Sequence, residues 1–153
     1  SLVDGGHLDG GMFYRTVSPE NDNGTQPISV IHGGLGDASE AFETVAHETT
    51  ETTGILHEDG VISMSRGEPG TASTEFFICI GDQPALDFGG NRNTDQLGFA
   101  AFGRVVDGMD VVKASHSSPS DTPVDDAYFK GQILENPFLI QQVTRKIKLQ
   151  SNP

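Results

Sequence analysis

The chain has no tryptophan, two tyrosines and one cysteine, and nine lysines and arginines stand against 22 aspartates and glutamates. Each scarcity excludes something. With Cys79 alone there is no internal disulfide, no zinc finger and no Cys-x-x-Cys redox pair. A formal net charge of −13 repels phosphate backbones, so nucleic acid is not an expected partner. The lack of tryptophan leaves few stacking platforms for a sugar, which weighs against a carbohydrate-binding β module. No apolar run approaches the ~20 residues needed to cross a bilayer, and the opening Ser1-Leu2-Val3-Asp4-Gly5-Gly6 has neither the basic nor the apolar part of a signal peptide. The chain as written therefore reads as soluble, cytoplasmic or periplasmic, with no membrane partner.

What is plentiful is punctuation. Of 153 residues, 19 are glycine and 8 are proline, while hydrophobic residues make up 35%. That composition, at a length suited to a single domain over 1–153, points to a turn-rich, mainly β fold. Strand-like runs lie at 11–17, 28–34, 61–65, 75–80, 98–106 and 138–146. The 75–80 run, Glu-Phe-Phe-Ile-Cys-Ile, is apolar on both faces and so is expected to be central. Apolar Ala38, Phe42, Val45 and Ala46 suit one or two helical turns before a Thr-rich extended tail, and 109–114 suits a short helix. A polar stretch at 18–27, with Pro19, Asn23-Gly24 and Pro27, reads as an insertion between two strands.

Several features are decoys. The five histidines, His7, His32, His47, His57 and His116, show no metal-ligand spacing, so no metal or other cofactor is expected. Gly33-Gly34-Leu35-Gly36 lacks the Lys-Ser/Thr ending of a phosphate loop. Cys79, inside an apolar run, reads as a buried small hydrophobe. The acidic run of Glu40, Glu43, Glu48 and Glu51 reads as a solvated face.

Five motifs in order carry a resemblance. Phe13-Tyr14-Arg15-Thr16-Val17, His32-Gly33-Gly34, Ile62-Ser63-Met64 followed by Glu75-Phe76-Phe77-Ile78, Leu86-Asp87, and Ala101-Phe102-Gly103-Arg104-Val105 followed by Gly108-Met109-Asp110-Val111-Val112 resemble the cyclophilin family of peptidyl-prolyl cis/trans isomerases. The likeness runs from about Asp4 to Arg145, and the insertion and the Thr-Glu-Phe-Phe variant look like a bacterial branch. The resemblance implies a closed eight-stranded antiparallel barrel with capping helices. It also implies a strand hairpin and first helix ahead of Leu2-Val3-Asp4, which this sequence does not contain.

The same resemblance implies site residues. Arg15 falls at the family's catalytic arginine. Phe77 and Leu86 fall on the proline pocket, Val30 on a pocket methionine and Phe99 on a rim histidine. His32 and Glu75 replace two groove glutamines. His32 brings an expected pH sensitivity; Glu75 is expected to orient Arg15 or to attract basic peptides. Ser65 and Arg66 replace an Ala-Asn pair that binds the peptide backbone. Ser29 replaces a pocket phenylalanine, thinning the apolar wall unless Ile28 fills it. The implied activity is rotation of X-Pro bonds in peptides and unfolded chains by a cofactor-free monomer. The alternative is a proline-peptide binding or chaperone-like module with little turnover.

Overall fold

The computed structural model describes residues 1–146. Six strands form one antiparallel sheet: β1 (Met12–Val17), β2 (Val30–Gly34), β3 (Val61–Met64), β4 (Phe76–Cys79), β5 (Ala100–Arg104) and β6 (Ile133–Leu139). Their order is β5-β3-β4-β2-β1-β6, which puts the apolar β4 in the interior of the sheet as expected. Two short helices, α1 (Thr50–Thr53) and α2 (Met109–His116), and 3₁₀ turns at 36–41, 84–86 and 127–129 complete the elements.

The sheet is open, and this corrects the expectation of a closed eight-stranded barrel. Closure requires the first and last strands to share a hydrogen-bonded ladder. Among the described residues β5 pairs only with β3, and β6 pairs with β1 and, at Ile133, forms an isolated parallel bridge with Asp121, so no ladder joins β5 to β6. Phe102 on β5 and Phe138 and Leu139 on β6 are correspondingly exposed. Pro137 lies within β6 between Ile133 and Phe138, where the register with β1 shifts, so its missing N–H falls at an irregularity of the ladder.

Register fixes the site. Across four strands a transverse row forms: Ser63 on β3 opposite Phe77 on β4, Phe77 opposite His32 on β2, and His32 opposite Arg15 on β1. The neighbouring row pairs Val17 with Val30 and Val30 with Cys79, and these three join Ile28, Phe77 and Leu86 in a buried apolar cluster. In β1 the register shifts between Phe13 and Arg15, so that two steps along β1 match one step along β2, from Gly33 to His32. A regular strand would place Phe13 and Arg15 on one face. The bulge at Tyr14 separates them: Phe13 lines a second, apolar hollow together with Ile31 and Ile78, and Arg15 joins the face of His32 and Phe77.

Candidate active site

A cavity of about 240 Å³ opens on the face that carries this row. Arg15, Val30, His32, Ser65, Arg66, Phe77, Leu86 and Phe99 all line it. Its floor is apolar. Leu86 is wholly buried, and Phe77 meets Phe99 edge-on at 5.4 Å between ring centroids. Ile28 lines the cavity while Ser29 faces away, its N–H donating to Gln83 Oε1 and its hydroxyl lying 3.3 Å from His116 Nε2. The alternation of β2 and the extended residues leading into it therefore puts Ile28, Val30 and His32 on one side, and Ile28 supplies apolar wall that Ser29 does not.

Glu75 does not line the cavity. Its carboxylate accepts from the Leu35 N–H at 2.8 Å, the Gly36 N–H at 3.1 Å and the Thr74 hydroxyl at 3.1 Å, and from the Tyr14 hydroxyl. Burial, then the adjoining Glu75 carboxylate, pushes the Tyr14 phenol well above its ordinary value. With its oxygens engaged in this latch, Glu75 neither touches Arg15 nor presents charge to a ligand. The partner of Arg15 is instead Gln132, whose Oε1 accepts from Arg15 Nε at 2.9 Å.

His32 also departs from expectation. Burial, reinforced by the Arg15 cation, pushes its pKa down to about 3, so the ring stays neutral through the range where pH sensitivity was expected. Its Nε2 is buried without a hydrogen-bond partner among the described residues. Arg15 itself is pulled below its ordinary value by burial, an effect the Tyr128 hydroxyl opposes, yet a guanidinium stays charged at neutral pH.

The sequence left other wall residues unassigned. Arg92, Asn93, Tyr128 and Phe129 close the side of the cavity around Arg15. Arg92 forms an ion pair with Asp22 at 2.6 Å, both side chains being nearly inaccessible to solvent, and also donates to the Tyr128 hydroxyl at 2.8 Å. Arg66 is fully engaged: it donates to both oxygens of Asp95 and to the carbonyls of Gly67 and Gly98, with its guanidinium over the Phe99 ring. Position 66 thus braces the rim through its side chain.

Behind Phe77 lies a Ser-His-Asp array. His57 sits 2.8 Å from Asp87 Oδ1 through Nδ1 and 2.8 Å from Ser63 Oγ through Nε2. Its ring stacks on Phe77 with centroids 6.0 Å apart. Burial lowers the His57 pKa, and the Asp87 carboxylate only partly offsets that. Ser63 is completely buried, so no substrate carbonyl reaches it; the array braces the pocket aromatic from behind. The Cys79 thiol, pushed up to about 12 by burial and then by the Asp87 and neighbouring carboxylates, is likewise unsuited to nucleophilic chemistry.

Comparison with known proteins agrees with this geometry. Residues 1–141 match the family model described as cyclophilin type peptidyl-prolyl cis-trans isomerase/CLD. A peptidyl-prolyl cis-trans isomerase-like 1 of Neurospora crassa is 31% identical over 121 residues, covering 79% of this chain and 66% of that protein. A Schizosaccharomyces pombe peptidyl-prolyl cis-trans isomerase is 30% identical over 128 residues, covering 82% and 74%. One from Streptomyces antibioticus is 31% identical over 116 residues, covering 74% and 64%. The chain thus spans about two thirds of the length of these relatives, and their mixture of fungal and bacterial sources does not single out a bacterial branch. The fold is also that of a Cryptosporidium parvum cyclophilin crystallised in the presence of the dipeptide Ala-Pro, with a TM-score of 0.58 at 18% identity, covering 90% of this chain and 79% of that one. The chain belongs to the cyclophilin-type peptidyl-prolyl cis-trans isomerase family.

Proposed function

We propose that this chain accelerates cis/trans rotation of X-Pro bonds in proline-containing peptides and unfolded proteins. Rotation is slow because amide resonance sets a barrier of ~18–20 kcal/mol. At the twisted midpoint the imide nitrogen regains a lone pair. A fixed cationic donor beside that nitrogen stabilises the twisted state more than either planar isomer, and needs no covalent step or cofactor.

The observation that carries this reading is the Arg15 guanidinium beside an apolar slot. Among the described residues Arg15 has no carboxylate partner, and its hydrogen bond to Gln132 is made through Nε, which leaves the two Nη groups beside the Tyr128 hydroxyl. They share the cavity with Phe77, Leu86, Val30, Ile28 and Phe99, a surface suited to a pyrrolidine ring. Neutral His32, with an unengaged ring nitrogen, supports a role in hydrogen bonding the peptide backbone. All of these residues come from one chain, so the chemistry requires only a monomer.

Exchange spectroscopy on an Ala-Pro peptide tests the proposal. The protein is expected to catalyse exchange without added metal or cofactor, and Arg15→Ala to lower the rate by roughly 10²–10³-fold, the size typical of losing one preorganised charge-stabilising donor. An unchanged rate in Arg15→Ala would remove the mechanism. Saturable binding without exchange in the unmodified protein would favour a binding module instead.

A further inference from the structure

An arginine stabilises a twisted imide only if its donors are already aimed when the bond turns, since reorienting a long flexible side chain costs part of the gain. Neither His32 nor Glu75 fixes Arg15 by a hydrogen bond, so the clamp lies elsewhere. The Arg15 Nε–H donates to Gln132 Oε1 at 2.9 Å. The guanidinium carbon lies 4.8 Å from the centroid of the Phe129 ring and 5.5 Å from that of Tyr128.

Gln132 is completely buried and held at each end. Its Nε2 donates to the Asn21 carbonyl at 3.0 Å, its N–H donates to the Phe129 carbonyl at 3.0 Å, and its own carbonyl accepts from the Thr16 N–H at 2.8 Å. Because Nε2 faces a carbonyl, Oε1 must face Arg15, and the amide has one satisfied orientation. Asn21 is equally constrained. Its Oδ1 accepts from the Ser18 N–H, and its Nδ2 donates to the carbonyls of Thr16 and Gly131. The 18–27 insertion and the segment before β6 are thereby joined at the residue that touches Arg15.

We propose that Gln132, locked by Asn21 and working with the Phe129 ring, is the positioning residue that fixes Arg15 at Nε and leaves its Nη groups aimed into the cavity. The inference rests on the isomerase reading and extends it by giving the insertion a catalytic purpose. A glutamine that merely satisfied buried polar groups would matter to stability but not to the rate on the enzyme.

The test uses the full chain with Gln132→Met, which keeps the length of the side chain and removes both hydrogen bonds, and Gln132→Glu, which keeps the acceptor. Three NMR quantities are read: the exchange rate of an Ala-Pro peptide at saturation, its Kd by chemical-shift titration, and the Arg15 Nε–Hε signal. Gln132→Met is expected to lower the saturated rate about tenfold, the effect of one lost hydrogen bond to a charged group, with Kd changed less than about twofold. The Nε–Hε signal moves and exchanges faster with solvent, and Gln132→Glu recovers most of the rate. A folded Gln132→Met with an unchanged rate overturns the proposal. If that variant does not fold, Phe129→Leu replaces it, with a rate drop of about threefold expected from a lost cation–π contact and an unchanged rate overturning the clamp. If the unmodified protein catalyses no exchange, the isomerase reading fails separately, and an Nε–Hε signal in Gln132→Met identical to the parent's overturns the clamp.

Discussion

Of the five N–H groups on an arginine, Arg15 gives one to a protein acceptor among the described residues, whereas Arg66 is engaged by two oxygens of Asp95 and two carbonyls. Three guanidiniums line the cavity and have different roles: Arg66 is fully engaged, Arg92 is held by Asp22 and Tyr128, and both Nη groups of Arg15 are left to offer. His32, beside Arg15 in the row, carries a measurable consequence. Its pKa falls from an ordinary 6.5 to about 3 on folding, so the unfolded chain takes up a proton that the folded chain refuses. Stability attributable to neutral His32 is complete above about pH 6.5 and is lost on acidification toward pH 3, by up to about 1.4 kcal/mol per pH unit. His32→Gln is expected to flatten that slope in urea titrations at stepped pH, while exchange activity of the parent stays level between about pH 5.5 and pH 8 because the imidazole does not titrate there. At this scale much of the pocket was legible: Arg15, His32 and Phe77 lie in matched motifs whose register places them in one row, Val30 lies two positions before His32, and Leu86 comes from a matched motif in a 3₁₀ turn. Gln132, Tyr128 and Phe129 were not, because a loop outside any motif brings them to Arg15 through contacts more than a hundred positions apart in sequence.

Elements show why two adjacent glycines end β2. A Cβ on Gly33 would sit 2.8 Å from the Met12 carbonyl oxygen, and Gly34 has a φ of +148°, with its Cβ direction blocked by the Glu75 carboxylate and the Thr74 carbonyl. The chain must turn there so that the N–H groups of Leu35 and Gly36 reach Glu75, which closes the latch with Tyr14. Gly34→Ala is expected to destabilise the protein by about 2–4 kcal/mol, read as a lower denaturant midpoint, since it combines a strained backbone with a clash against a half-buried carboxylate held by several hydrogen bonds. The His-Gly-Gly motif was visible in the sequence; its coupling to Glu75 was not, because nothing local says which way that side chain turns. The helical reading near 38–46 fared worse. Only a 3₁₀ turn forms over Gly36–Ala41, and the true helical turn lies at Thr50–Thr53, inside the tail expected to be extended. Thr49 explains it: its hydroxyl accepts from the Thr52 N–H, and Gly54, at φ +74°, ends the turn, so capping outweighed the β preference of threonine.

At the scale of the whole molecule, the 18–27 insertion is a tie between segments far apart in the chain. Asp22 pairs with Arg92, Asn23 donates to the carbonyls of Tyr128 and Lys130, and Asn21 reaches Gly131. Composition marked the stretch as a polar loop, but could not show that its carboxylate lies fully buried, because that depends on an arginine seventy residues away. Burial by itself would raise the Asp22 carboxyl, but the Arg92 guanidinium and the N–H groups of Gly24 and Ile28 outweigh it and hold the pKa below the usual carboxylate value. A folded-state pKa that is depressed contributes stability above the unfolded value and loses it as pH falls through the folded one. Asp22→Asn keeps the shape and removes the charge, leaving Arg92 buried and uncompensated, so a loss of about 3–5 kcal/mol is expected at neutral pH. On acidification the two proteins must converge, because a protonated Asp22 is nearly isosteric with asparagine. His32 and His57 titrate equally in both and cancel from the difference. Urea unfolding of the pair at stepped pH measures this directly, and a stability gap that stays constant down to pH 2 would show that the buried charge on Asp22 is not what holds the insertion in place.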